Sequence, residues 1–527
     1  MQFIVFAAFA IVLSIPPDGP PWRSLVVTSP VWTAAIIAGQ VVLAGLLGGV
    51  ASRLVCRQLE HNPAWLPAAQ QHLSRWTGFL RFFIIGSFAA GMYLTDWSNY
   101  VRSVDWMRRV WGLDELIMMS PFLLGVLVSW IALYPADRGI RHVSLELRLW
   151  TAQPNRPVWR LGSYLAFMFR HHVLIIFVPM LPIVVAIDAV SDDHYGRWLR
   201  ESTGVVWADQ AVLVVVAGGV FLIAPVLLRY IWHTTSLPAG ELRSRLDGLC
   251  RRIGLSYRDI LIWHSDGMVV NAAVMGLIRP VRYVLLSDGL LETMDDEQIE
   301  AVFGHEAGHI KHHHITFYLL FAILSMLIVG GISELVVRFA PDWVQQAGSA
   351  APASGSQTEV RDYLQVMAMV MIVAIWGLGF GPVSRRFEWQ ADLFGARSVT
   401  PDIASCDRPC LVHGTLEPAS LNPGDRLPSG LAICATAAHT FGEALHRIAT
   451  LNGIPVEARS WRHSSIGNRI RLLRQYAADP SAIARLNRGV LAIKLVLVVG
   501  SAVGLAIGAW LYWPHQLIRA LRASYGG

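Results

Sequence analysis

The sequence predicts a mainly α, polytopic α-helical membrane protein that also carries a small α+β domain. Three observations lead there. Residues of the AVILMFWYC set make up 54% of the 527-residue chain, and the mean hydropathy is +0.45. Charged residues amount to only 15%, against about 25% in soluble globular chains. The apolar residues also gather into runs of about 20, the length a helix needs to cross a bilayer. Lipid contact accounts for the missing charge.

The runs lie near 31–52, 77–95, 115–134, 164–189, 206–231, 315–338, 362–382 and 489–512, giving eight expected spans. Residues 1–16 form a ninth apolar stretch. It is short for a crossing and lacks the basic start and small-residue cleavage site of a signal peptide. Arg170, His171 and His172 open one run; the expectation is that they sit at its end, with the true span starting near Val173 and the arginine snorkelling. The division expected is an N-terminal membrane region (1–232), a polar segment (233–314), two spans (315–382), a second polar segment (383–486), and a last span with a tail (487–527).

Two crossings between the polar segments put both on one side of the membrane, where they can build one site together. The loops on that side, 53–76 and 135–163, are the richer in arginine: Arg53, Arg57, Arg75, Arg138, Arg141, Arg148, Arg156 and Arg160. The positive-inside rule then predicts a cytoplasmic site, in a cell (inner) membrane. The net charge of +6 comes from scattered loop arginines, not a dense basic face, so no nucleic-acid partner is expected. Five cysteines are too few for a disulfide framework. Cys406 and Cys410 are close enough to pair or share a metal, and the plainer reading is that they are unrelated.

The chemistry concentrates in the run from Asp295 to His309, which reads as a helix. Asp295 and Gln298 resemble a capping box, and acidic residues crowd the first turn, where the macrodipole favours them. Ile299, Val302 and Phe303 supply an apolar face. His305 and His309 then lie one turn apart on one face, a spacing that lets two imidazoles bind one Zn²⁺. Glu306 flanks the metal, in the place of a general base for a bound water. A catalytic site needs a third protein ligand and an open fourth position. Glu388, which follows the run at 362–382, is the candidate. Asp392, four residues on, shares its helix face and is placed to orient a ligand histidine. The plainer alternative is an acidic face that serves Arg385 and Arg386. The neighbouring His312, His313 and His314 read as a polar helix end or an extra metal site.

These residues occur in an order that resembles the gluzincin-type membrane metallopeptidases, which include the HtpX heat-shock proteases and the CAAX prenyl proteases. The resemblance covers roughly residues 240–475. Asn271–Gly276 resembles the family's edge-strand motif, and Val284–Leu291 the strand before the metal helix. The HEAGH run at 305–309, the ExxxD run Glu388–Asp392 and the late run His463–Ile470 follow in family order. Ser464 stands where the family's late run has proline.

The resemblance implies a zincin-like metallopeptidase domain and one Zn²⁺ per chain, held by His305, His309 and Glu388. It also implies Glu306 as the base, Asp392 behind a ligand histidine, and His463 and Arg469 reaching the scissile carbonyl and its oxyanion. Asn271 and Ala272 would hold an extended substrate backbone, as sheet edges do. The partners expected are a peptide or membrane-protein substrate and the lipid bilayer; nothing in the sequence addresses oligomeric state. The reaction implied is peptide-bond hydrolysis close to the membrane, in quality control or processing. Two alternatives remain at this level. One is a signalling metalloprotease that cuts a single regulator, and the other is a membrane scaffold that keeps a relict zinc site.

Overall fold

The computed structural model describes residues 2–15, 26–150, 158–192, 194–204, 208–267, 269–339, 367–368, 370–401, 403–414, 432–452, 454–458, 460 and 462–525. Among the described residues, seven helices are long and apolar enough to cross a membrane: Pro30–His61, Pro63–Leu94, Ser120–Glu146, Leu161–Ser191, Ala208–Ile231, His314–Val336 and Pro480–Trp510. They match seven of the eight expected runs. The remaining run, 362–382, lies partly outside the described residues; its described part includes a π-helical turn, Trp376–Phe380. The N-terminal stretch is a helix, Gln2–Leu13, and its 12 residues rise only about 18 Å. That is well short of a hydrocarbon core of about 30 Å. Its Val5, Ala8, Phe9 and Val12 are buried, and Phe9 lies against Phe177. The structure is therefore that of a multi-pass membrane protein, mainly α-helical with a few short strands.

The chain divides into two compact units. The first holds residues 1–236, 257–269 and 278–293, with the first five long apolar helices. It also contains three strands: β1 (Thr234–Ser236), β2 (Asp259–Trp263) and, later in the chain, Tyr283–Ser287. β1 runs antiparallel to β2, with Thr235 opposite Ile262. β2 runs parallel to Tyr283–Ser287, with Leu261 opposite Leu285. All five residues of Tyr283–Ser287 are buried, as the apolar sequence of a parallel strand covered on both faces requires. By this division β1, β2 and Tyr283–Ser287 fall in the first unit. β2 and Tyr283–Ser287 are tied by their pairing to β1, and β1 follows almost directly from the helix Ala208–Ile231.

The helix Leu161–Ser191 corrects the reading of Arg170–His172. These residues do not mark its end. They form a π-helical turn, Arg170–Leu174, well inside a continuous helical stretch. Such turns insert a residue and re-aim side chains. Here His171 is buried; its ring bonds the Phe167 carbonyl at 2.8 Å and accepts the indole N–H of Trp263 at 3.1 Å. Trp232 stacks on Trp263 with ring centroids 4.7 Å apart.

The second unit holds residues 237–256, 270–277 and 294–527. It includes β3 (Ala272–Met275) and the helices Glu241–Ile253, Asp296–Lys311, His314–Phe339, Gly381–Ser398, Ala435–Leu451, Ile466–Ala478 and Pro480–Tyr525. Asp295 caps the helix Asp296–Lys311 by accepting the Gln298 N–H at 2.8 Å. Arg245 grips its start through Glu300, at 2.6 Å, and Asp296, at 3.4 Å. At the other end His313 takes a left-handed φ of 57°, which breaks the helix before the membrane helix begins at His314. Lys494 of the last long helix donates to the freed carbonyl of His312 at 2.8 Å, satisfying an acceptor that helix termination leaves open.

The His171–Trp263 pair generates a stability test. His171→Leu removes the acceptor and leaves a buried indole N–H unpaired, which costs about 1–3 kcal/mol. The expected result is a lower thermal denaturation midpoint in detergent. An unchanged midpoint would show that the pair contributes nothing.

Candidate metal centre

The helices Asp296–Lys311 and Gly381–Ser398 lie against each other through their smallest residues. A Cβ added to Gly304 would sit 2.0 Å from Ser398 Oγ and 3.2 Å from the Gly395 Cα. One added to Gly308 would sit 3.1 Å from the Ala391 Cα, and one on Gly395 would meet the Ala301 carbonyl at 2.9 Å. Glycine on both helices therefore lets backbone approach backbone. That approach brings the short side chain of Glu388 to the two histidines.

The metal-facing nitrogens and oxygens of His305, His309 and Glu388 all lie within 4.8 Å of one another. His305 Nε2 is 3.7 Å from one Glu388 oxygen, and His309 Nε2 is 3.6 Å from the other. Four ligands about 2.1 Å from a tetrahedral zinc ion stand about 3.4 Å apart, so small shifts would let these three close on one ion. Two imidazoles and a carboxylate also suit zinc chemically. His305 and Glu388 are buried. Glu306 is part-buried, and its carboxylate accepts the backbone N–H of Val274 in β3. It is anchored beside the three ligands and is not one of them.

A second layer of side chains fixes the first. Asp392 Oδ1 is 2.9 Å from His305 Nδ1, which leaves Nε2 facing Glu388. Arg469 in turn donates to both Asp392 oxygens, from Nε at 2.9 Å and from a terminal nitrogen at 2.5 Å. Phe441, from the helix Ala435–Leu451, lies against the His305 ring with centroids 5.9 Å apart.

His309 has its own support. Its Nδ1 is 2.9 Å from Nδ1 of His314, and His314 Nε2 is 3.0 Å from the Gln390 side-chain oxygen. One proton arrangement satisfies the whole chain. His309 Nδ1–H donates to His314 Nδ1, His314 Nε2–H donates to Gln390, and His309 Nε2 stays bare for a metal. His314 is fully buried and stacks on Phe387 at 4.4 Å.

The protonation of the site follows from these contacts. Burial would lower the pKa of His305, but the hydrogen bond and charge of Asp392 hold it above the usual value. At His309 burial and the neighbouring His305 outweigh the charges of Glu388 and Asp392 and push it down to about 3. Burial would raise Glu388 and Asp392, yet both stay below the usual carboxylate range. For Glu388 the main cause is the His463 hydrogen bond, and for Asp392 the Arg469 charge. Burial raises Glu306.

Part of the chain is similar to known proteins. The chain matches Peptidase family M48 over residues 236–405. That stretch contains β3, HEAGH and Glu388. Protease HtpX of Glaesserella parasuis is 30% identical over 178 residues, 33% of this chain and 60% of that protein. The CAAX prenyl protease 1 homolog of Arabidopsis thaliana is 26% identical over 198 residues, 36% of this chain and 44% of that protein. The matched region is thus about half of each relative's own length. A crystal structure of S. mikatae Ste24p aligns over 84% of this chain and 99% of that one, at 15% identity and a TM-score of 0.42.

Two of the expected site residues, His463 and Arg469, lie beyond the matched M48 segment. Arg469 was expected to reach an oxyanion. In this structure it is buried, its guanidinium is committed to Asp392, and one of its nitrogens is 3.4 Å from His305 Nδ1. That places it behind the ligand histidine. His463 does reach the candidate ligand Glu388: its Nδ1 is 2.9 Å away, and its side chain is 47% exposed. Ser464 follows it with a left-handed φ of 67°. Proline, fixed near −65°, cannot adopt that conformation, so this turn needs a residue other than the family's proline. Asn271 is exposed just ahead of β3, and Ala272 is buried within it.

The His314 contact was missed because a chain reversal at His313 separates it from HEAGH, and Gln390 at i+2 from Glu388 does not share its helix face. Gly304 and Gly308, one turn apart on the HEAGH helix, were a legible signal of close packing. The His309–His314 contact predicts that His314→Ala loosens His309 and weakens zinc affinity about 10- to 100-fold, read by competition with a chromogenic chelator. Affinity equal to that of the wild type would remove His314 from the support of the metal.

Proposed function

We propose that the chain is an integral-membrane zinc metalloendopeptidase. It would cleave membrane proteins or membrane-tethered peptides near the bilayer surface, in quality control or processing. The observation that carries this reading is the convergence of His305, His309 and Glu388, with Glu306 beside them and bound to none of them. One zinc ion would be held by those three ligands and would supply Lewis-acid polarisation and an acidified water.

The chain's own residues do the rest. Glu306, with its pKa raised by burial, accepts the water's proton as the carbonyl is attacked and passes it to the leaving nitrogen. Its anchor on the Val274 N–H keeps the carboxylate beside β3. An extended substrate can pair with that strand through backbone groups, which binds without demanding a sequence. Asn271 would add a side-chain contact at the start of the strand. His463, half-exposed and hinged on the left-handed Ser464, is placed to leave Glu388 for the developing oxyanion. Asp392 and Arg469 position His305.

Membrane proximity supports the substrate class. His309 is only five residues before His314, where the membrane-length helix starts. We place the site on the cytoplasmic side from the loop arginines. A fusion after Gly527, beyond the last span, should then give an exported reporter, so alkaline phosphatase would be active there and green fluorescent protein dark. The reverse pattern would refute the orientation.

Purified Glu306→Gln tests the mechanism. It should retain zinc and lose proteolysis of an unstructured protein substrate by about 100- to 10,000-fold. Cleavage at the wild-type rate would take the base role from Glu306, and cleavage insensitive to chelators in the parent protein would sink the metallopeptidase reading.

A further inference from the structure

The second unit contains another convergence of metal-ligating side chains, away from His305, His309 and Glu388. Cys406, Cys410, His413 and Cys434 bring one ligand atom each to within 4.8 Å of all the others. Cys410 and Cys434 are buried, and Cys406 and His413 are partly exposed. In sequence they read Cys-x3-Cys-x2-His-x20-Cys, so three ligands come from one short turn and the fourth from a distant residue. We propose that these four side chains form a structural zinc centre of the Cys3His type.

The distances favour a metal over the alternatives. Cys406 Sγ and Cys434 Sγ are 3.6 Å apart, and Cys434 Sγ is 3.8 Å from His413 Nδ1. A zinc ion with Zn–S bonds of about 2.3 Å and a tetrahedral angle sets its sulfurs about 3.8 Å apart, and a sulfur and a nitrogen about 3.6 Å apart. A disulfide needs about 2.05 Å. Four protein ligands would leave no open position, so the centre would be structural and not catalytic.

The surroundings give such a centre a purpose. Between the helices Gly381–Ser398 and Ala435–Leu451, the described residues contain one short helical turn, Ile403–Ser405. The apolar cluster there is small, formed by Cys410, Cys434 and Ala437 with Val399, Cys406 and Ala435 around them. A cluster of this size stabilises little by itself, and small folds commonly add a metal for that reason. Cys434 is the N-cap of the helix Ala435–Leu451, so a metal bound there would hold the start of that helix. Asp407 accepts from Thr436 at 2.6 Å, which ties the turn to the same helix end. The metal would therefore fix the start of the helix whose Phe441 supports His305.

The proposal stands independently of the catalytic reading and has its own signature. Full-length protein purified in detergent under reducing conditions should hold two zinc ions per chain. Cys410→Ser/Cys434→Ser should hold one, and so should His305→Ala/His309→Ala. Because the cysteine variant could fail to fold, cobalt substitution of the unaltered protein gives a second readout. A sulfur-to-cobalt charge-transfer band should appear, and it should persist in His305→Ala/His309→Ala, since the site of His305, His309 and Glu388 contains no sulfur. A single zinc in the parent protein without that band would overturn the proposal. So would a disulfide joining Cys406 or Cys410 to Cys434 in protein kept reduced throughout.

Discussion

The candidate site depends on how closely two helices approach. Helices in proteins commonly run 8–10 Å apart, depending on the side chains between them. Between Asp296–Lys311 and Gly381–Ser398 those side chains are largely absent: Gly304 and Gly308 face Ala391 and Gly395. Backbone meets backbone, and Glu388 reaches two histidines on the opposite helix. A bulky residue at any of these positions would push the helices apart along their length. The ligand set would separate even though every ligand remained.

Close approach also buries charge, and the structure answers that with partners. Asp392, His305 and Arg469 are all buried. Each charge in that group has a partner in hydrogen-bond contact. Removing one member of a buried set is costly, of the order of 3–5 kcal/mol, because the others are left unpaired. This network is also directional. Asp392 takes Nδ1 of His305, and His314 takes Nδ1 of His309, so both Nε2 atoms point toward Glu388. The two ligands reach the same end by different means, one through a carboxylate and one through a neutral relay to Gln390.

Metal chemistry and membrane anchoring meet at one chain reversal. The HEAGH helix ends at Lys311, His313 turns the backbone, and a membrane-length helix starts at His314. His314 is at once the first residue of that helix and the support of His309. The start of a membrane helix is thereby part of the metal site, which explains why a buried imidazole occurs at a position that looks interfacial. Lys494, from the last long helix, closes the same junction on the carbonyl of His312.

The sequence by itself determined the fold class, seven of the membrane helices and the first pair of candidate ligands. Those features are local: apolar runs of span length, and two histidines at helical spacing after a capping aspartate. It also pointed to Glu388 and Asp392, because an i,i+4 pair shares a face wherever the helix goes. Only the tertiary structure decided what depends on contacts between distant segments. It set Arg469 against Asp392, His314 against His309, and His171 in a buried pair with Trp263. It also gathered Cys406, Cys410 and His413 around Cys434, 21 positions beyond the last of them. No spacing rule could supply these, since each depends on which faces of two separate elements come together.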